Sequence, residues 1–171
     1  MMTKLKNKPS VMDRASFVET FGGVYEHSAW VAEKIWDQGI NGAHDEISRL
    51  ASEMAAVVAG ADDKTKLALI NAHPDLAGKA AVRGELTASS TSEQAQAGLN
   101  ECSPEEFEKF QKYNAAYKAK FGFPFIKAVR NSNRYEILKG FEERLENDAA
   151  TEFKTALAEI DKIAAFRLQD L

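Results

Sequence analysis

The sequence predicts an all-α fold, a single-domain bundle of about seven to nine helices. Apolar residues recur at steps of three and four along almost the whole chain, and no run alternates as a half-buried strand would. The 171 residues, 44% of them hydrophobic, suit one domain with a sizeable core. We therefore expect residues 1–171 to form one helical domain, with residues 1–12 as a flexible N-terminal segment.

The first half of the chain contains four predicted helices. Their predicted starts are Asp13, Ser28, Asp45 and Asp62, of which the first two can act as N-caps. The residues predicted to face the core are Phe17, Phe21, Val31, Ile35, Trp36, Ile47, Leu50, Ala51, Met54, Val58, Leu67 and Ile70. The fourth helix leads directly to His73 and Pro74, where proline should end helical geometry.

The second half has clearer boundaries. Ser103 and Glu106 have the spacing of a capping box, Pro104 takes the first helical position, and Gly122 suits a left-handed C-terminal cap. The inner face of this helix is predicted to contain Phe107, Phe110, Tyr113 or Asn114, Tyr117 and Phe121. Further helices are predicted at about 133–146 and 149–168, and the segments that fit no helix are 84–89 and 123–128. Irregular segments held by rigid helices often carry function.

Charge and composition exclude several classes of protein. The formal net charge of −4 leaves no basic footprint, so we expect no nucleic-acid partner. No stretch approaches the roughly 18 apolar residues of a membrane helix, and the basic start precedes no signal-peptide core. We therefore expect no membrane association and a cytoplasmic location. Cys102 is the single cysteine, and His27, His44 and His73 lack metal-ligand spacing, so no metal is expected.

His73 stands at a predicted break between helices. Because proline restricts the residue before it, His73 should leave helical geometry and Pro74 should begin the next turn. An imidazole at such a junction can take or give a proton near neutral pH. The residue alone fits equally a histidine that only bonds a loop carbonyl, which is the commoner role.

Ser90 and Glu93 have the spacing of a capping box, which explains both residues structurally. A helix N-terminus also exposes N–H groups with a partial positive charge that can bind a carboxylate. Glu93 and Gln94 would then face a small polar ligand from the first turn. Without further observations, the capping role is the favoured interpretation.

The Phe-Gly-Phe-Pro-Phe sequence at residues 121–125 is typical of a helix end that packs its turn into a core. It also fits a wall for a flat ring, with free backbone N–H and C=O groups beside it. Arg130 can supply a fork-shaped donor for a carboxylate or form a minor surface ion pair.

Taken together, three segments resemble one enzyme family. Residues 73–79 read His-Pro-Asp-Leu-Ala-Gly-Lys, residues 90–94 read Ser-Thr-Ser-Glu-Gln, and residues 121–125 are those just described. Their order and the interval of twenty residues from His73 to Glu93 are similar to those of decarboxylases that act on 2-oxo-4-hydroxy-4-carboxy-5-ureidoimidazoline (OHCU). The resemblance extends from Phe17 to the last helix.

The resemblance implies a usually dimeric all-α enzyme that converts OHCU to (S)-allantoin and CO2, the third step from urate to allantoin, without metal or organic cofactor. It implies that His73 and Glu93 are catalytic. The substrate-binding residues that it implies are Pro74, Ser90, Thr91, Ser92, Gln94, Phe125, Ile126, Lys127, Ala128, Val129 and Arg130. We expect His73 to handle the proton and Glu93 to orient it or the ureido and hydroxyl groups, although the residues leave the reverse assignment open.

Two other functions fit the same sequence. One is a different cofactor-free lyase or isomerase that acts on an imidazoline acid. The other is a non-catalytic ureide-binding protein of the same fold, against which the presence of both His73 and Glu93 argues. A purely helical interaction module is disfavoured because the apolar stripes can be assigned to a core.

Overall fold

The structure, a computed structural model, describes residues 3–78 and 83–171. Within them lie eight α-helices and no β-strand, which confirms the predicted all-α single-domain bundle. The helices are α1 (Arg14–Phe21), α2 (Trp30–Gln38), α3 (Ile47–Ala59), α4 (Asp63–Asn71), α5 (Ala88–Gln96), α6 (Pro104–Phe121), α7 (Arg134–Arg144) and α8 (Ala149–Gln169). Short 3-10 helices occupy Pro9–Val11, Gly42–Asp45 and Leu99–Glu101. No helix of the described part is long and apolar enough to cross a membrane.

The chain divides into two compact units. The first contains the residues up to 72 together with residues 160–171, and the second contains residues 73–159. Residues 149–159 of α8 therefore belong to the second unit and the rest of that helix to the first. Every residue of the predicted site lies in the second unit.

The core of the first unit is built from aromatic and aliphatic side chains of α1 to α4. The ring of Phe17 lies 5.4 Å from that of Trp36, which joins α1 to α2. The prediction that Leu67 faces the core is wrong, because its side chain is 37% exposed, whereas Leu69 and Ile70 are buried. The buried face of α4 thus keeps the predicted Ile70 but contains Leu69 instead of Leu67.

The N-terminal segment, expected to be flexible, makes specific contacts in the first unit. The Leu5 side chain is buried, and its N–H donates to the Asp45 carbonyl at 2.8 Å. The N–H and hydroxyl of Ser10 donate to the Asp45 carboxylate at 2.9 and 2.6 Å. Met1 and Met2 lie outside the described residues.

Of the two N-caps predicted in the first half, one is confirmed and one is wrong. The Asp13 carboxylate accepts the Ser16 N–H at 2.8 Å and caps α1 as predicted, and Asp62, predicted only as a helix start, caps α4 by accepting the Thr65 N–H at 2.7 Å. Helix α2 begins only at Trp30, and Ser28 does not cap it. Its hydroxyl donates instead to the Glu26 carbonyl at 2.8 Å, which closes the preceding turn.

Helix α6 is the central element of the second unit, and its predicted ends are confirmed. Ser103 and Glu106 form the reciprocal capping box, with bonds of 2.9 and 3.1 Å. Gly122 ends the helix with φ of +80°, a conformation that suits glycine. Of the two candidates left open for the inner face, Asn114 is the buried one, at 3% exposure.

Candidate functional site

The His73-Pro74 segment forms a tight turn directly after α4. Helix α4 ends at Asn71, as the proline predicts, and the His73 side chain is 8% exposed. The chain then passes through Ala77 at φ +51°. A Cβ on Gly78 would lie 2.7 Å from the Asp75 Cβ, so the turn has no room for a larger residue there. The motif's last residue, Lys79, lies outside the described part of the chain.

The side chain of Gln94, in α5, holds this turn with two hydrogen bonds. Its Oε1 accepts the Ala77 N–H at 3.0 Å, and its Nε2 donates to the Asp75 carbonyl at 3.2 Å. Glu93 is the neighbour of Gln94, and His73 lies two residues before Asp75. The side chain of Gln94 therefore joins the two short segments that carry the predicted catalytic residues.

Helix α5 begins earlier than predicted, so the capping-box interpretation of Ser90 and Glu93 is wrong. Thr87 is the N-cap, because its hydroxyl oxygen accepts the Ser90 N–H at 3.2 Å. Ser90 consequently lies inside the first turn with 5% exposure, and Glu93 lies half-buried in the second turn. The exposed N–H groups of this helix end lie one turn away from Glu93.

The His73 turn is held from its other side by α6. The amide of Asn114 donates to the Leu76 carbonyl at 2.9 Å, and that of Gln111 donates to the Ala77 carbonyl at 2.7 Å. Lys118 pairs with the Asp75 carboxylate at 2.6 Å. Sequence reasoning missed these residues. The available signal was a set of polar residues at steps of three and four on one side of an otherwise aromatic helix face.

Residues 123–128, predicted to fit no helix, are irregular, and the irregular stretch around them includes residues 122–130 with the predicted binding residues 125–130. The Phe125 ring is 1% exposed and stacks on Phe141, with ring centroids 3.8 Å apart. It meets the edge of Tyr117 at 5.3 Å. The Phe125 ring is therefore enclosed by protein, and its face is not exposed as a wall for a flat ligand.

A buried polar network holds the same segment. Arg144, the last residue of α7, donates from Nη1 to the Ile126 carbonyl at 2.5 Å and from Nε to Glu152 at 2.7 Å. The guanidinium lies 4.2 Å from the Phe125 ring centroid. The Tyr117 hydroxyl donates to Glu152 at 2.6 Å, and burial together with this bond raises the pKa of the phenol, which keeps it protonated.

Helix α6 brings the two segments side by side. Asn114 bonds the His73 turn and Tyr117 contacts Phe125, and these two buried residues of α6 are only three positions apart. At 1.5 Å per residue they are separated by about 4.5 Å along the helix axis. The His73 turn and the start of the 122–130 segment are therefore neighbours on one face of α6.

The predicted site residues differ in burial. The buried ones are His73, Ser90, Gln94, Phe125, Ile126 and Val129. Those of intermediate exposure are Pro74, Glu93, Lys127, Ala128 and Arg130, and the exposed ones are Thr91 and Ser92. None of the hydrogen bonds among the described residues uses the backbone N–H of Lys127 or Ala128. The arrangement thus offers a buried imidazole, a half-buried carboxylate and two available backbone donors.

Within residues 3–78 and 83–171, no three His, Cys, Asp or Glu side chains are grouped as ligands for a metal ion. The groups that the two segments and α5 carry are an imidazole, a carboxylate, side-chain amides and backbone N–H groups. Such groups can orient a small polar molecule, bind its carbonyl or carboxylate oxygens and exchange a proton with it.

Comparison with known proteins identifies the family. The family model described as OHCU decarboxylase matches residues 10–169. The chain is 41% identical to the 2-oxo-4-hydroxy-4-carboxy-5-ureidoimidazoline decarboxylases of Halalkalicoccus jeotgali and Haloferax volcanii, over 93% of this chain and 86% and 90% of theirs. A crystal structure of (S)-allantoin synthase matches with a TM-score of 0.71 and 33% identity, over 93% of this chain and 50% of that one. The chain belongs to the OHCU decarboxylase family.

Proposed function

We propose that this protein decarboxylates OHCU to (S)-allantoin and CO2, the third step of urate-to-allantoin conversion in purine catabolism. The observation that carries the proposal is the arrangement on α6. The His73 turn, bonded through Gln94 to the helix of Glu93, adjoins the 122–130 segment, whose Lys127 and Ala128 N–H groups bond no described residue. Membership of the OHCU decarboxylase family indicates which reaction to expect, and the two segments beside α6 carry groups suited to that reaction.

The reaction can proceed without a cofactor because the substrate itself can accept the electron pair that decarboxylation leaves. Breaking the bond between the ring carbon and its carboxylate releases CO2 and leaves an electron pair on that carbon. Conjugated C=O and C=N groups of the ring accept this pair, so the substrate supplies its own electron sink. The protein must orient the scissile carboxylate, stabilise the enolate-like intermediate and deliver a proton to one face of the adjacent ring carbon, which bears the ureido group. The carbon that lost CO2 keeps its hydroxyl oxygen and becomes the carbonyl of allantoin.

In this proposal His73 handles the proton. Its burial at the end of a fixed turn limits the directions from which it can reach the ring carbon. Glu93 orients either His73 or the ureido and hydroxyl groups of the substrate. The backbone N–H groups of Lys127 and Ala128 bind the oxygen on which negative charge develops, because preorganised donors stabilise such charge best where water is excluded.

The remaining predicted residues line the substrate in this proposal. Gln94 already uses its Oε1 and one Nε2 proton for the turn, so one further amide proton is left for a ligand. Arg130 is placed at the end of the segment, where its guanidinium can meet a carboxylate. The other proposed contacts are Pro74, Ser90, Thr91, Ser92, Phe125, Ile126 and Val129.

The test is circular dichroism of OHCU made in the cuvette from urate by uricase and the hydrolase that follows it. We expect rapid growth of an (S)-allantoin signal with this protein and loss of at least about 100-fold in rate for His73→Asn, the lower end of acid–base catalysis. Glu93→Gln should also lose activity. His27→Asn is the matched control, because His27 is exposed and at φ +48°, a conformation that asparagine tolerates.

Other outcomes would favour the alternatives. Decay at the spontaneous rate to racemic allantoin, with ureide binding retained, would favour a binding protein. Turnover of related hydantoin acids but not of OHCU would favour another lyase or isomerase. We further propose that the protein is cytoplasmic and that it works as a homodimer, which its family resemblance implies; a monomeric mass in analytical ultracentrifugation would contradict the dimer.

A further inference from the structure

We propose that Arg144 is a positioning residue for this reaction, which acts through the peptide group between Ile126 and Lys127. The inference rests on the proposed function, because it assigns a task to a residue that supports the substrate-facing segment. Arg144 contacts two consecutive residues of that segment, the Phe125 ring and the Ile126 carbonyl. No other side chain described in the structure bonds a backbone group of residues 125–128.

The planarity of the peptide group links this contact to the substrate. The structure contains no cis peptide bond among its described residues, so the Ile126 C=O and the Lys127 N–H point in opposite directions. When the carbonyl is bonded to Arg144, the N–H must point away from Arg144. That N–H forms no hydrogen bond with a described residue. Arg144 therefore fixes the direction of an available donor without occupying it.

The guanidinium is itself fixed from several sides. Nε donates to Glu152, whose side chain is fully buried, and Nη2 lies 3.4 Å from the Tyr117 hydroxyl. Asn147 donates to the second Glu152 oxygen at 2.9 Å. A lysine at this position has one nitrogen and no planar face, so it cannot bond Glu152 and the Ile126 carbonyl while stacking on Phe125.

The primary test compares Arg144→Lys with Arg134→Lys. Arg134 is a matched control, because it begins the same helix α7, pairs through Nε with Glu106 at 3.0 Å and lies over the Tyr135 ring at 4.8 Å. We expect Arg144→Lys to raise KM for OHCU about tenfold and to lower kcat/KM by about 10- to 100-fold, the scale of a small misplacement of binding groups. Arg134→Lys should stay within about twofold of the parent protein.

A second measurement does not depend on activity. The amide ¹⁵N chemical shift of Lys127 should move in Arg144→Lys and stay unchanged in Arg134→Lys, since the hydrogen bond on the Ile126 carbonyl polarises the peptide group that it shares with the Lys127 N–H. If the parent protein does not turn over OHCU, the proposed function fails, whereas the chemical-shift comparison still decides whether Arg144 holds this peptide.

The two measurements also separate positioning from a purely structural role. A structural role would reduce the amount of folded enzyme, so the apparent kcat would fall while KM and the Lys127 amide shift in the folded fraction stayed unchanged; that result overturns the proposal. If Arg144→Lys does not fold, Glu152→Gln tests the same link. It keeps the side-chain size but removes the charge that holds Arg144, so it should raise KM and move the Lys127 amide shift. An unchanged KM and an unchanged shift in this variant would equally overturn the proposal.

Discussion

Asn114→Asp should destabilise the protein in a way that depends on pH. Asn114 is 3% exposed, donates to the Leu76 carbonyl at 2.9 Å, and its Oδ1 has no partner among the described residues. An ionised Asp would place a second acceptor against that carbonyl, and a buried acceptor without a donor costs about 1–3 kcal/mol. Taking up a proton restores a donor, and the 3.1 pH units between a normal Asp pKa of about 3.9 and pH 7 correspond to roughly 4 kcal/mol. We therefore expect a loss of about 1–4 kcal/mol at pH 7.

The direction of the pH dependence follows from the same argument. The pKa of the new Asp is raised in the folded state, so the folded protein holds the proton in a range where the unfolded chain has lost it. The free energy of unfolding, relative to the parent protein, should fall as pH rises from about 4 toward this raised pKa. Urea denaturation of both proteins at about pH 4 and pH 7 measures it. A difference that is equal at the two pH values would refute the reasoning.

A matched control for Asn114→Asp is Asn133→Asp. Asn133 caps α7 by accepting the N–H groups of Tyr135 and Glu136, each at 3.0 Å, and Asp is as good an N-cap as Asn. The same chemical change should therefore have little effect on stability there. Because the Leu76 carbonyl belongs to the His73 turn, Asn114→Asp should also lower kcat/KM at pH 7, whereas Asn133→Asp should not.

Three further substitutions test other parts of the structure. Gly78→Ala would place a Cβ 2.7 Å from that of Asp75, so we expect the His73 turn to shift and kcat/KM to fall about tenfold or more. Gly122→Ala, at φ +80°, should lower the free energy of unfolding by about 1–2 kcal/mol and leave kcat/KM unchanged. Burial raises the pKa of Asp161, so its ionised form destabilises the fold as pH rises; Asp161→Asn, which still accepts from Tyr25, should raise the Tm at pH 7 but not at about pH 3.5.

Gly23→Ala is the control for both glycine substitutions, because a Cβ there would meet nothing within 4 Å and its φ is not positive. It should change neither stability nor kcat/KM appreciably. Full activity in Gly78→Ala would mean that the turn can relax without moving His73. A Tm for Asp161→Asn below that of the parent at pH 7 would show that its carboxylate stabilises the fold.

The sequence predicts the fold well where the signals are local. Helical periodicity, the Asp13 cap, the helix start at Asp62, the box at Ser103 and the cap at Gly122 all depend on residues within one turn of each other, and the structure confirms them. Ser28 is not the N-cap because α2 begins two residues later, at Trp30, so that Ala29 occupies the capping position. The Ser28 hydroxyl donates instead to the nearby Glu26 carbonyl.

The candidate site is harder to predict, because its geometry depends on contacts distant in sequence. The spacing of Ser90 and Glu93 fits a capping box, yet the N-cap is Thr87, and α5 begins three residues earlier than that spacing indicates. No neighbouring residue shows from sequence whether the helix begins at Thr87 or at Ser90. The bonds from Gln94 to the His73 turn span 17 and 19 residues, and no periodicity signals a side chain that bonds a loop backbone.

Asn114 illustrates what such a signal could be. The periodic pattern of α6 alone predicts burial of its aromatic neighbour Tyr113 as readily as burial of Asn114. A buried amide is tolerated only where it finds hydrogen-bond partners, and on a helix the backbone's own groups are already used. An amide on an apolar helical stripe therefore indicates a segment without regular structure packed against it. Here that segment is the His73 turn, and the amide bonds its Leu76 carbonyl.

The same logic applies to Arg144, which bonds the Ile126 carbonyl. In both irregular segments, side chains of rigid helices bond carbonyl oxygens. In the 122–130 segment this leaves the N–H groups of Lys127 and Ala128 available, and such donors are what a reaction that develops negative charge requires. If the two irregular segments became ordered only when the substrate binds, the conformational entropy lost at that step would weaken binding. Buried amide and guanidinium groups that order both segments in advance remove this loss, which explains why they lie in the interior of an otherwise aromatic core.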